Sequence, residues 1–475
     1  MSRRKQPLPL FEHLEIIDAG AEGKCIAKVD EKVIFVPFAS PGDIVDVQVT
    51  KKRKSYLEGS ITKFHTYSDQ RSDPRCSHFG LCGGCKWQHI TYNNQLANKQ
   101  KQVKDNFDRI AKVPVAEFLP IIGADNEYYY RNKLEFAFSD RRWLTNMDIP
   151  KEEGGPQNTN GLGFHLPGRF DKILDIDHCY LQKDPSNDIR MAIRKYAIDN
   201  NLDFYNVRNH EGLLRNLIIR TSSTGDLMVI LVFRYDDLDI AQMLQTISDK
   251  FPEITSLMYV INEKQNDTIW DRDIKLANGK PYLLEEMKSP DANTSLKFKV
   301  GPVSFYQTNP DQAFKLYKLA FDFAGFKGNE LVYDLYTGTG TIAAFIASSV
   351  NKVIGIEYIV EAIEGAKENA AMNNIDNIEF FAGDIVKILT PEFISQNGKP
   401  HIIITDPPRV GMHEKVVKQI LVSEPEKIVY VSCNPSTQAR DIALLSEKYD
   451  VLKSQAVDMF PQTHHVENVA LLVKR

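Results

Sequence analysis

Nowhere does the chain stay apolar for the roughly 18 residues that a membrane-crossing helix needs. The basic start, MSRRKQPLPLFEHLE, lacks the apolar core of a secretory signal. These two absences predict a cytoplasmic protein with no membrane partner. No internal repeat or low-complexity tract is present, which excludes solenoid and fibrous classes. Positive charge is not in excess: 58 Lys and Arg stand against 63 Asp and Glu, a formal net charge of −5. That argues against nucleic-acid binding over the whole surface, but not against local basic patches such as Lys51-Lys52-Arg53-Lys54. Cysteine is scarce, with six residues in 475. Three of them, Cys76, Cys82 and Cys85, fall close together, and in a reducing compartment such a cluster points to metal or redox chemistry before structural disulfides.

What remains is an ordinary globular composition, 43% hydrophobic and 25% charged. The length allows two to four domains at roughly 100–200 residues each. Three textures follow one another. Residues 1–66 read as short strands, including KVIFVPFA and DIVDVQVT with the turn SPGD between them, and predict a small β-barrel with basic edges. Residues 67–300 begin with the cysteine-rich loop. A helix, NNQLANKQKQVKDNFDRIA, follows, with Leu96, Val103, Phe107 and Ile110 near one face. The rest of this segment is α+β and predicts an antiparallel sheet, with PKEEGGPQNTNG (150–161) as an exposed loop. Residues 301–475 alternate strand and helix. ELVYDLY, KVIGIEY, NIEFFAGD, HIIITDPP and KIVYVSCN are the strands of a doubly wound parallel sheet.

Chemistry-bearing residues fall at the tips of those strands. DLYTGTGTIAAFIA places Gly338 and Gly340 in a strand-to-helix turn where a ligand can approach the backbone. Glu357 ends the second strand, where an acid typically accepts ribose hydroxyls. Asp384 ends the third and Asp406 the fourth. Each acid by itself is as readily a helix N-cap; their order along the sheet carries the signal. Tyr336 occupies the first glycine of the dinucleotide fingerprint, which disfavours NAD and leaves S-adenosylmethionine as the expected ligand. In VSCNPST, Asn434-Pro435 must end the fifth strand, so Cys433 lies at its tip.

FYQTN, DLYTGTG, TDPPRVG, VSCNP and HHVENVALL occur in the order found in the RNA uracil-C5 methyltransferases. With the CGGC cluster and the amino-terminal barrel, the chain most resembles their 23S ribosomal RNA branch. The resemblance implies a Rossmann-like methyltransferase domain, a central α+β iron–sulfur domain and an OB-like TRAM barrel for RNA. The transfer-RNA branch is expected to lack both barrel and cluster. Gln307, Tyr336, Glu357 and Asp406 would contact S-adenosylmethionine, with Gly338, Gly340 and Asp384 in the same site. Cys433 would be the nucleophile and Glu467 the general base. Such an enzyme adds a thiolate to C6 of uracil, which makes C5 reactive, and then needs a carboxylate to remove the C5 proton. The missing cysteine beside Asp406 in DPPR favours uracil over cytosine. Cys76, Cys82 and Cys85, spaced C-x5-C-x2-C, leave zinc and iron–sulfur equally open by spacing. The resemblance implies a [4Fe-4S] cluster with Cys179 as the fourth ligand. Thr337 departs from a family that often has cysteine there, a change expected to be tolerated because the motif works through its turn and backbone. The expected partner is ribosomal RNA and the expected state a monomer. The alternatives are a transfer-RNA methyltransferase and a non-catalytic iron–sulfur RNA-binding protein.

Overall fold

A computed structural model describes residues 8–144 and 158–475. Most of the expected loop at 150–161 therefore lies outside the described residues; Gly161 itself opens a strand, Gly161–Leu166. Among the described residues no helix is long and apolar enough to cross a membrane.

The amino-terminal barrel is a six-stranded sheet. Leu10–Glu15 pairs antiparallel with Ile44–Lys52, and that strand pairs in turn with Tyr56–Thr66. At the other end Asp18–Ala19 pairs with Lys24–Val29. Asp18–Ala19 directly continues the first strand, so the sheet closes on itself around Ile16, Ala27, Ile34, Val36, Val45 and Val47. Closure removes exposed edges from a module too small for a large core.

The central sheet has seven strands. Leu227–Phe233 is buried along its whole length, as expected of an apolar run covered on both faces. The sheet is not wholly antiparallel. Leu227–Phe233 and Ser256–Ile261 run parallel, joined by the helix Leu238–Lys250, a crossover long enough to return the chain to the same edge.

All five predicted carboxyl-terminal strands form and lie parallel, in the order Ile378–Ala382, Lys352–Glu357, Leu331–Leu335, Ile402–Thr405 and Lys427–Ser432. Glu467–Lys474 then runs antiparallel between Lys427–Ser432 and Tyr449–Val457. The eighth strand, Val115–Ile122, pairs parallel with Tyr449–Val457 at the far edge. Hydrogen bonding thus crosses the sequence division at residue 300. So does the core: Met228, Ile230 and Val260 of the central sheet share one apolar cluster with Leu316 and Ala320 of the helix Pro310–Ala324 and with Val332, Val429 and Val431 beneath the carboxyl-terminal sheet.

Candidate active site

The turn after Leu331–Leu335 is built from three left-handed residues, Tyr336 (φ 64°), Gly338 (φ 56°) and Gly340 (φ 75°). At Gly340 a Cβ would stand 3.0 Å from both Ala366 and Phe380, so only glycine fits the helix entry. Tyr336 has no such freedom and holds a strained backbone, its N–H donating to Ile356 O at 2.9 Å. Glu357 accepts N–H groups from Gly338 at 3.1 Å, Tyr358 at 2.8 Å and Ile359 at 3.1 Å, which locks the glycine turn to the second strand tip. Its Oε2 retains capacity for a further donor such as a hydroxyl. Asp384 caps the short helix Ile385–Ile388 through Val386 N–H at 3.0 Å, so the bland role exists there alongside any ligand contact. Thr337 does more than hold a turn. Its hydroxyl donates to the buried Asp334 carboxylate, whose pKa burial pushes up to about 7. The side chain at this departure from the family is therefore engaged.

Asn434 ends the fifth strand as expected and also starts the next helix. It caps Pro435–Leu445 through Ser436 N–H at 3.2 Å, with Pro435 in the first turn. Its amide also donates to Arg409 O at 3.0 Å, tying the cysteine tip to the TDPPRVG loop. Ser432 pairs with Asn468 in the antiparallel register, so Cys433 and Glu467 are the next residues across from each other at the strand ends. Glu467 is buried, and no hydrogen bond reaches its carboxylate or that of Asp406 among the described residues. Burial pushes Glu467 up to about 8, with Asp406 adding to the shift and Arg409 opposing it. Asp406 rises to about 7 through burial and the proximity of Asp334. The Cys433 thiol is pushed up to about 11, chiefly by burial, with Glu467 and Asp406 adding to the shift and Arg409 opposing it. Cys433, Glu467 and Asp406 thus lie within electrostatic reach of one another, with exposed Arg409 as the cation common to Cys433 and Glu467. Gln307 is buried, and its backbone carbonyl accepts from Asn132 at 3.1 Å.

The loop before Glu467 is held from three sides. Asn309, of FYQTN, caps Pro310–Ala324 and donates to Met459 O at 2.9 Å, while Gln312 donates to Asp458 O at 2.7 Å. Gln95, on the helix Tyr92–Asn106, exchanges two hydrogen bonds with Gln462, at 3.0 and 2.9 Å. Gln462 O in turn accepts the N–H groups of Lys86 and Trp87, both at 3.0 Å, from the cysteine-rich loop. His464 and His465 lie tilted against each other with ring centres 4.1 Å apart, and burial lowers them to about 4 and about 3, so both are neutral at pH 7. Sequence reading singled out neither Arg409 nor Gln95 for this site. DPPR carried the signal for Arg409, whereas nothing local to Gln95 points to a partner so far along the chain.

Cys76, Cys82, Cys85 and Cys179 are brought near one another from two distant segments. Burial is the main cause that raises all four thiols, Cys82 to about 11 and Cys85 to about 12, and neighbouring cysteines of the set contribute to the shift of these two. His78 does not join them: its Nε2 accepts the Asp177 N–H at 3.0 Å. His89 faces the barrel, bonded to Ala39 O at 3.0 Å.

The family model described as tRNA (uracil-5-)-methyltransferase matches residues 270–475, and that of the TRAM domain matches residues 14–62. An RNA methyltransferase of Bacteroides thetaiotaomicron, described only as uncharacterized, is 56% identical, covering 96% of this chain and 100% of its own. Another such protein, of Porphyromonas gingivalis, is 52% identical over 97% of this chain and 99% of its own. The chain belongs to the RNA uracil-5-methyltransferase family. This methyltransferase uses S-adenosylmethionine, in keeping with its fold and family. Among solved structures it is similar to the Pyrococcus abyssi tRNA (uracil-54, C5)-methyltransferase bound to S-adenosyl-L-homocysteine. The TM-score is 0.74 at 26% identity, covering 97% of this chain and 100% of that one. At that coverage the transfer-RNA enzyme must include a counterpart of the barrel. The barrel therefore does not mark the ribosomal branch, contrary to the expectation from sequence.

Proposed function

We propose that this methyltransferase modifies C5 of a uridine in 23S ribosomal RNA, with Cys433 as nucleophile and Glu467 as base. The observation that carries the mechanism is the cross-strand placement of these two residues. Cys433 adds to C6 of the flipped uracil, the enolate carbon C5 takes up the methyl group, and Glu467, one strand away on the same sheet edge, then takes the C5 proton so that the thiolate can leave. A carboxyl held near neutral pH suits proton removal at neutral pH. S-adenosylmethionine supplies the electrophilic methyl group. The chain offers Gln307, Tyr336, Gly338, Gly340, Glu357, Asp384 and Asp406 to hold it. The glycine turn and the open acceptor on Glu357 fit a ribose, and the unpartnered Asp406 fits a cationic or N–H-bearing ligand.

The four cysteines fit an iron–sulfur cluster. They are desolvated, mutually close, and Cys82 Sγ accepts the Gly84 N–H at 3.4 Å, the kind of bond that tunes cluster thiolates. Tetrahedral zinc would draw its sulfurs to about 3.8 Å apart, given Zn–S bonds of about 2.3 Å. No three of these cysteines lie within 4.8 Å of one another, a spread that favours a larger inorganic core. Through Lys86 and Trp87 that core would brace the loop before Glu467.

Transfer RNA is the second reading, favoured by the Pyrococcus abyssi neighbour. Unmodified ribosomal and transfer RNA offered in competition, followed by mass analysis of the nucleosides, test both. The reading predicts 5-methyluridine in the ribosomal RNA. Methylated transfer RNA alone overturns the substrate, and 5-methylcytidine overturns the base.

A further inference from the structure

His13, Asp46 and His65 lie on three neighbouring barrel strands, Leu10–Glu15, Ile44–Lys52 and Tyr56–Thr66, with the carboxylate on the middle one. Their convergence is built by irregularity. The first ladder shifts register between Phe11 and Leu14, and the second shifts between Asp46 and Val47. His13 sits in the first bulge at φ 53°, a left-handed conformation uncommon outside glycine. Its N–H donates to Asp46 Oδ1 at 2.9 Å, and His65 Nε2 lies 2.6 Å from the same oxygen. No hydrogen bond falls on Asp46 Oδ2 among the described residues. The two imidazoles stack with centres 3.8 Å apart and planes 24° apart. One donor atom from each residue lies within 4.8 Å of the others, the one such three-residue group among the described residues.

We propose that this trio binds a divalent cation of the zinc class on the barrel wall. Two imidazoles and a carboxylate are a donor set for borderline metals, whereas magnesium and calcium prefer oxygen. A tetrahedral ion with bonds of about 2.0–2.1 Å needs donors about 3.4 Å apart. The trio's donor atoms lie within 4.8 Å of one another, and the exposed His13 ring reaches that spacing by turning out of the stack. His65 and Asp46 are mostly buried while His13 is exposed, so the fourth position opens to solvent. A water or a phosphate oxygen fits there.

Cobalt(II) is the probe, titrated into the full-length protein as isolated. Thiolate sites give sulfur-to-cobalt charge-transfer bands, whereas an imidazole–carboxylate site gives d–d bands alone, so the two donor sets are read separately. The wild type is expected to bind one equivalent with the second signature. His13→Ala/His65→Ala should lose that equivalent and keep any thiolate bands, with an unchanged far-ultraviolet circular dichroism spectrum. His65→Gln, which can still hydrogen-bond Asp46, should lose it too. Equal cobalt stoichiometry in wild type and both variants, or a wild type without the d–d bands, overturns the site. Neither result bears on the proposed methylation chemistry.

Discussion

Lys99 and Asp458 form an ion pair at 2.6 Å with neither side chain exposed. The lysine also donates to Phe460 O at 3.1 Å. A charge on the inner face of the helix Tyr92–Asn106 thereby anchors the loop that leads to Glu467. Removing one partner of a buried pair strands the other. Lys99→Met should therefore lower stability by about 3–5 kcal/mol, and adding Asp458→Leu should recover a large part of it. Urea midpoints of the three proteins measure this; a single variant as stable as the wild type refutes it.

The two catalytic roles should fail at different steps. Cys433→Ala is expected to transfer no methyl group and form no covalent RNA adduct. Glu467→Gln should add to C6 and methylate C5, then stall, so that a methylated protein–RNA adduct survives denaturing electrophoresis. Normal turnover by the glutamine variant would assign the proton to another group, and an adduct in the alanine variant would remove Cys433 from the chemistry.

Stability should fall as pH rises through the neutral range. Glu467, Asp406 and Asp334 sit at about 8, 7 and 7, well above the ordinary carboxylate value near ~4. Between those limits the folded chain holds protons that the unfolded chain has released, so the slope of stability against pH is negative. The stabilisation is complete below the ordinary value and is lost as pH climbs through 7 to 8. Denaturation at pH 5.5 and 8 reads this slope, which Glu467→Gln should make shallower. Over the same range kcat/KM should rise with pH as the base ionises, and a profile flat from pH 6 to 9 would contradict that role for Glu467.

Lys51, Lys52, Arg53 and Lys54 are all exposed at one end of the barrel. Replacing them with glutamine should raise the RNA Kd and reduce the salt slope by about 0.7–0.9 for each phosphate no longer neutralised. Substitution is the cleaner experiment than deletion of the barrel. Trp87 Nε1–H donates to Gly23 O at 3.3 Å and Arg71 pairs with Asp43 at 2.6 Å, so removing the barrel would disturb the cysteine-rich loop as well. An unchanged slope would separate the basic turn from RNA binding.

Protein purified without oxygen should be brown. Cys85→Ser should abolish the iron absorbance and shift the thermal midpoint down, because the three remaining cysteines would lose what they ligate. Stoichiometric zinc and no iron in the wild type would reverse the assignment.

Much of this site was legible from local chemistry. Asn434-Pro435 forces a strand to end and a helix to begin, which fixed Cys433 at a sheet tip without knowledge of the fold. The apolar runs of the five parallel strands are equally local. The helix Tyr92–Asn106 was read through its apolar residues, and there the reading was incomplete. Val103 and Phe107 are buried, but Ile110 is 41% exposed and the inward face continues through Gln95 and Lys99. Polar residues on a buried face are recognisable only from their partners, and Asp458 lies 359 positions away. The parallel central pair and the eighth strand escaped for the same reason, since periodicity reports that a strand exists and not what lies beside it.

That eighth strand has a consequence for how the protein is made. Val115–Ile122 leaves the ribosome early, yet Pro120 accepts its hydrogen bond from Gln455, 335 positions later. Throughout that interval the nascent chain carries an unpaired strand edge and a helix with an uncompensated lysine on its inner face. Vectorial synthesis therefore cannot finish the amino-terminal half before the carboxyl terminus emerges. A gene split near codon 300 would yield two polypeptides that each lack part of one sheet, and activity would return only where the two are present together and free to associate.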